Sequence, residues 1–200
     1  MTAAPQPLNP GFADPVTAAQ AVFRGLLDAI SHPGRIVVLE ETVPAPEPLE
    51  PATAAVALTL FDFETPLWLD TAKEPSERLK SYFAFHTGAP VTANQARAAF
   101  AIVTDIAKAP PLNQFALGSP ENPERSTTLL VQVPDLHEGR GIRLTGPGIE
   151  SARYLDIEGL PQTVWQQRRD LKYVFPQGID IVFTCRDRLA AVPRSTHVEI

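Results

Sequence analysis

Sulfur is nearly missing from this chain of 200 residues, which holds one cysteine and one methionine. A lone thiol cannot close an intramolecular disulfide. That thiol, Cys185, ends the apolar run Ile179 to Cys185. The setting is that of a core thiol, because reactive thiolates need an accessible, electropositive site. Lysine is also scarce, with only Lys73, Lys80, Lys108 and Lys172 among the 17 basic residues. No apolar run approaches the roughly 18 residues of a membrane span, so none is expected. The start, Met1-Thr2-Ala3-Ala4-Pro5, has neither a basic nor an apolar segment. No signal peptide is expected there, and the simplest location is the cytoplasm. Excess positive charge is lacking too: 17 basic against 23 acidic residues give −6. That balance argues against nucleic-acid or anionic-membrane binding but leaves room for a local basic pocket.

What is present points to an ordinary globular domain. Hydrophobic residues make up 44% and charged residues 20% of the chain. A chain of this length buries roughly 70% of its unfolded surface around one core. Proline is abundant, 21 of 200 residues, about twice the usual 5% or so. Many prolines mean short helices and many turns. The arginine skew suits fixed contacts to carboxylates and phosphates, or simply reflects a GC-rich genome.

Residues 1–13 read as a lead-in and 14–200 as a single domain. Asp14-Pro15 is a helix start, with Asp as N-cap and Pro at the first position. Val16, Ala19, Val22, Phe23, Leu26, Leu27 and Ile30 then follow at the spacing of one buried helix face. Ser31-His32-Pro33-Gly34 ends that helix, and residues 36–39 read as a strand. Residues 41–51 hold four prolines and read as a loop. A small apolar helix from Ala52 to about Leu60 is expected to be buried. A short strand is expected at 65–69, and a helix starting at Glu74-Pro75-Ser76 and stopping at His86-Thr87-Gly88. Further strands are expected at 100–103, 127–133, 142–145, 153–157 and 179–185, with a helix at 161–174. The last two strands, 189–192 and 196–200, meet at Pro193-Arg194-Ser195. Interleaved helices and strands with a strand-rich C-terminal third predict a three-layer α/β fold with a mixed sheet.

The chemistry-bearing residues form no complete reactive set. The sequence has no phosphate-binding G-x-x-x-x-G-K-[ST], no G-x-G-x-x-G and no nucleophile elbow. His32, His86, His137 and His197 are never spaced as a zinc pair, so no metal is expected. His32 and His86 each fall at a helix end, where a cationic imidazole complements the helix dipole. The functional alternative is that these two ends line one cleft. Lys108, which follows a strand, is the candidate cofactor lysine, yet it lacks a clear Asp or Arg partner set. Asp62 and Glu64 share a face if that stretch is extended, although loop-capping acids are commoner. Gly146-Pro147-Gly148 reads first as a hairpin turn and second as an anion-cradling nest. The candidate anion contacts are Arg143, Gly146, Gly148, Arg153, Arg168, Arg194, His32 and His86. Of the neighbours Arg168 and Arg169, at most one faces a given site, since adjacent helical side chains diverge by about 100°. No catalytic residue and no cofactor is assigned.

Several strings together resemble one family. They begin with Gly11-Phe12-Ala13-Asp14-Pro15, Phe23-Arg24, Leu27-Asp28-Ala29 and His32-Pro33-Gly34. They continue with Glu64-Thr65-Pro66-Leu67-Trp68-Leu69 and Phe85-His86-Thr87-Gly88-Ala89-Pro90. The later set is Leu144-Thr145-Gly146-Pro147-Gly148-Ile149, Gly159-Leu160-Pro161 with Trp165 and Arg168, Phe175 to Asp180, and Pro193 to Glu199. In this order they are similar to the PhnH family of the bacterial carbon–phosphorus lyase pathway. Ser195 stands where a threonine is expected, with the hydroxyl kept.

The resemblance implies a cytoplasmic protein with a fold like that of pyridoxal-phosphate-dependent transferases, without the cofactor lysine. It implies a homodimer and a core complex with PhnG, PhnI and PhnJ homologues. With PhnG, PhnI and PhnL, family members support transfer of an alkylphosphonate to the ribose of a nucleoside triphosphate, with loss of the base. The chemistry is attributed to PhnI, so a structural or accessory role is expected. The alternative is a subunit that binds nucleoside triphosphate or phosphonate and contributes residues directly to catalysis.

Overall fold

The computed structural model describes residues 9–70 and 76–200, apart from the side chain of Ser76. The expectations placed on residues 1–8, Lys73, Glu74 and Pro75 lie outside the described residues. Asp14 caps helix α1 (Pro15–Ser31), accepting from the Thr17 amide at 3.3 Å, and Pro15 fills the first position. Ahead of it, residues 9–13 run along helix α3 (Ser76–His86). The Asn9 side chain accepts from Arg78 at 3.1 Å, and the Asn9 carbonyl lies 2.9 Å from His86 Nε2.

Helix α1 corrects one expectation. Val22 and Leu26 are buried, together with Ala18 and Ala29, but Val16, Phe23, Leu27 and Ile30 are 39–68% exposed. The seven apolar positions span an arc of about 140° at 100° per residue, and the core reaches only one side of that arc. Helix α1 therefore has two apolar stripes, one buried and one facing outward. Helix α2 (Pro51–Leu60) is the opposite case, with every residue from Ala52 to Ala57 buried. Its alanines let it lie flat against both α1 and the sheet.

Six strands form the central sheet: β1 (Ile36–Val38), β2 (Leu67–Leu69), β3 (Phe100–Val103), β4 (Thr128–Gln132), β7 (Asp180–Cys185) and β8 (Arg188–Val192). Their spatial order is β1-β8-β7-β4-β3-β2. Neighbours from β2 through β3 and β4 to β7 are parallel, while β8 is antiparallel to both β7 and β1. The mixed sheet expected from the sequence is present. Its strands are continuous apolar runs because both faces are covered. Ile102, Leu130 and Val182 point into a core shared with α1, α2 and α3. Ala101, Val103, Leu129, Val131, Ile181 and Phe183 point into a second core.

That second core is closed by a smaller antiparallel sheet and one helix. The sheet has the order β6-β5-β9, from β5 (Leu136–Thr145), β6 (Arg153–Ile157) and β9 (His197–Glu199). Helix α4 (Gln162–Asp170) continues as a 3-10 turn over Leu171–Val174 and inserts Val164 and Trp165. The C-terminal strands differ from expectation. β8 and β9 do not pair with each other: Pro193 to Thr196 carry the chain out of the large sheet and into the small one, where β9 pairs β5. Pro193 breaks the ladder at this crossing, since it has no N–H to donate.

Candidate functional site

Ligands of parallel α/β sheets usually sit beyond the carboxyl ends of the strands. Here those ends are closed by internal hydrogen bonds. Asp70, just after β2, is 6% exposed. It accepts from the Thr104 hydroxyl and from the amides of Thr104 and Asp105. Burial pushes its carboxyl above the usual range, and the Thr104 and Asp105 donors partly offset that. Gln132 Oε1 accepts from the Glu50 amide at 2.7 Å, and its amide nitrogen donates to the Pro48 carbonyl at 2.9 Å. The hydroxyls of Thr53 and Thr184 lie 2.7 Å apart. The start of α2 thus seats on the strand ends, with the Ala52 amide donating to Arg186 at 2.7 Å.

The opposite end is different. Between α4 and β9 lies a crevice of about 230 Å³, lined by Thr145, Arg168, Arg169, Lys172, Thr196 and the first residues of β9. Arg168 is 2% exposed and is among the largest fully buried side chains. Its Nη2 donates to the Pro193 carbonyl at 2.6 Å and to the Thr196 carbonyl at 3.2 Å. Its Nε has no partner, and neither does the Thr196 hydroxyl. Burial lowers the Arg168 pKa to about 10; Asp180 pulls it up and Arg194 pushes it down. Arg168 is therefore a charged, buried guanidinium at neutral pH, and no salt bridge to it occurs among the described residues. Trp165 and Val164 fix the α4 register that turns Arg168 inward, which leaves Arg169 and Lys172 exposed at the mouth.

The other candidate contacts are placed as follows. Arg194 is committed to Asp180: its Nε lies 3.2 and 3.1 Å from the two carboxylate oxygens, and its Nη1 donates to the Pro123 carbonyl. It pins the long 108–126 loop to the start of β7. Arg143 is ion-paired with Glu199 at the edge of the crevice. Arg143 stands opposite Tyr154, and Leu144 opposite Arg153. Successive strand residues alternate faces, so Arg143 and Arg153 occupy opposite faces of the small sheet and do not converge on the glycine turn. The turn joins β5 to β6 as a hairpin connection. At Gly148, with φ +80°, an added Cβ would come 2.0 Å from the Ser31 carbonyl oxygen. Gly146 likewise lies against Ser195, where a Cβ would meet the carbonyl oxygen at 3.0 Å. Close approach of backbone to backbone accounts for both glycines.

His32 ends α1, whereas His86 lies against Asn9 and Gly11, ahead of the start of that helix, so the two do not share a cleft. His32 Nδ1 is 3.0 Å from both the carbonyl and the carboxylate of Asp28, so its role is local to the helix end. Among the lysines, Lys108 is exposed and 3.0 Å from Asp105, and Lys80 is 2.7 Å from Glu77. Asp62 caps a turn, accepting from the Glu64 amide at 2.9 Å. Cys185 is 1% exposed; burial raises its thiol pKa, and Sγ donates to the Pro134 carbonyl at 3.1 Å. One cluster escaped the sequence reading. Asp135, His137 and Glu158 bring ligand atoms within 4.8 Å of one another, because β5 and β6 pair across them. Arg188 already holds the Asp135 carboxylate at 2.6 Å and keeps it below the usual carboxylate range, helped by the Leu136 amide.

Fold and crevice together define an α/β protein with a mixed six-stranded sheet, a small second sheet and a basic crevice at the crossing between them. Residues 10–199 match the family described as bacterial phosphonate metabolism protein (PhnH). The chain belongs to that family. It is 43% identical over 199 residues to the alpha-D-ribose 1-methylphosphonate 5-triphosphate synthase subunit PhnH of Rhizobium meliloti (strain 1021), covering 100% of this chain and 99% of that protein. It is 33% identical over 184 residues to the putative C-P lyase subunit protein HtxG of Stutzerimonas stutzeri, covering 90% of this chain and 86% of that one.

Proposed function

We propose that the chain is a subunit of an alpha-D-ribose 1-methylphosphonate 5-triphosphate synthase in a carbon–phosphorus lyase assembly, and that it acts there mainly by docking. End-to-end likeness to a subunit of that name supports the first part. The observation that carries the second is the outward apolar stripe of α1, formed by Val16, Phe23, Leu27 and Ile30. Single exposed apolar residues are common, but four along one helix face are a patterned surface. The edge strand β1 packs on the other flank of α1, against Gly25, and leaves the stripe uncovered.

In isolation two copies pair through this stripe; in the cell the subunit joins PhnG, PhnI and PhnJ homologues in the cytoplasm. The reading extends to a likeness with pyridoxal-phosphate-dependent transferases that lack the cofactor lysine, so added pyridoxal phosphate gives no imine absorbance. The test is native mass spectrometry of the chain, alone and co-expressed with those three homologues. A dimer alone and a stable hetero-complex on co-expression are the expected results. A chain that stays monomeric and unassociated in both preparations overturns the reading.

A further inference from the structure

The crevice between α4 and β9 carries an inference of its own. A buried cation is costly unless paired. Arg168 is 2% exposed, and its visible hydrogen bonds go to neutral carbonyls. Its Nε and the adjacent Thr196 hydroxyl are both without partners. Arg169 and Lys172 add positive charge at the rim, and His197 stands beside them. The one carboxylate lining the crevice, that of Glu199, is held by Arg143.

We propose that Arg168 and Thr196 form the floor of a binding site for a tetrahedral phosphoryl or phosphonyl oxyanion, with Lys172 closing it from the rim. The shape of the donor set selects this class. Planar carboxylates and phosphoryl groups alike can take two parallel donors of one guanidinium, but only the tetrahedral group offers a third oxygen that diverges from that plane. That fork is closed here, because Nη2 already serves the carbonyls of Pro193 and Thr196. What is left is a set of single donors on separate side chains, which suits oxygens that diverge from one phosphorus. The volume, about 230 Å³, lies below the roughly 300–1,000 Å³ of pockets that enclose drug-sized ligands. The crevice therefore takes a headgroup, and the remainder of a larger ligand stays outside. Phosphate of a nucleotide and phosphonate share this chemistry, and the probes separate them.

The test is calorimetry on the isolated full chain with inorganic phosphate, methylphosphonate and ATP, and with acetate as the planar control. Thr196→Val removes the hydroxyl, and Lys172→Ala removes the rim charge at an exposed position that does not hold the fold. Circular dichroism checks that both variants are folded. Phosphate-class ligands bind and acetate does not; each variant weakens binding by about tenfold, as loss of one hydrogen bond to an ion does. Preference for methylphosphonate assigns the substrate phosphonate, and preference for ATP assigns a nucleotide phosphate. No binding of the three at millimolar concentration overturns the proposal, as does binding that both variants leave unchanged or that acetate matches. Because the chain is tested alone, failure here leaves the assembly reading intact, and failure to assemble leaves this site intact.

Discussion

The two ends of the parallel strands treat polar groups in opposite ways. At the carboxyl ends, the side chains of Asp70, Gln132, Thr53 and Thr184 all have partners, and α2 seats on top of them. At the amino end of β7, Arg194 and Asp180 are mutually satisfied, but the neighbouring Arg168 and Thr196 retain unpartnered buried atoms. Buried polar groups in folded proteins are almost always hydrogen-bonded. The closed end is therefore built for stability, and the open end keeps donors in reserve. The usual place for an α/β ligand is closed by internal hydrogen bonds, and the unpartnered donors Arg168 and Thr196 lie instead at the crossing between the sheets.

Substitutions can break this contrast in order of expected size. Asp180→Ala strips Arg194 of its carboxylate and removes a negative charge that favours the Arg168 cation; chemical denaturation should read a loss of about 3 kcal/mol. Asp70→Ala removes the carboxylate that accepts from the Thr104 amide and hydroxyl and from the Asp105 amide, for a loss of about 2–3 kcal/mol by the same measurement. Thr53→Val leaves the Thr184 hydroxyl with only the Val131 carbonyl, 3.5 Å away, and costs about 1 kcal/mol. If either closed-end variant is neutral, the claim that this end is structural fails.

Tyr82→Phe gives the smallest effect and sharpens the contrast. The Tyr82 hydroxyl is also buried without a partner, yet it lies in an apolar core against Phe83 rather than in a crevice. Its removal should be neutral or stabilising by up to about 1 kcal/mol. Burial pushes the Tyr82 pKa from 10.0 up to about 12. The unfolded chain therefore ionises first, so the folded state is unaffected below pH 10 and loses stability as pH climbs from there to about 12. In the Phe variant the Tyr82 share of that alkaline loss is gone, as denaturation across this pH range would show.

Much of the fold was legible because its signals are local. Asp14-Pro15 caps and starts α1 by side-chain and ring chemistry alone, and the apolar runs at 100–103 and 179–185 are long enough to declare buried strands. The outward stripe of α1 was not legible, since periodicity shows which residues are apolar but not how much of the arc the core will cover. The separation of β8 from β9 was hidden for a similar reason: the Pro193 to Thr196 segment reads as a turn whether its strands pair or part. Of the site, Arg168 was named from sequence, as was the rule that only one of Arg168 and Arg169 turns inward. Thr196 and His197 were missed as crevice residues, because 28 positions and a sheet crossing separate Thr196 from Arg168; Lys172, four positions beyond Arg168, was missed because the end of α4 tightens into a 3-10 turn there. The face taken by Arg143 and Arg153 depends on register, which no spacing rule reveals.

The proposed docking role rests on the apolar face of α1 that the core leaves uncovered. Native mass spectrometry of the co-expressed assembly, comparing the parent with the Phe23→Ser/Leu27→Ser variant, tests it most directly. These positions are exposed, so folding stability should shift by no more than about 0.5 kcal/mol each. The parent is expected in the hetero-complex, and the folded double variant is expected to be released from it. A double variant that assembles as fully as the parent would contradict the docking role.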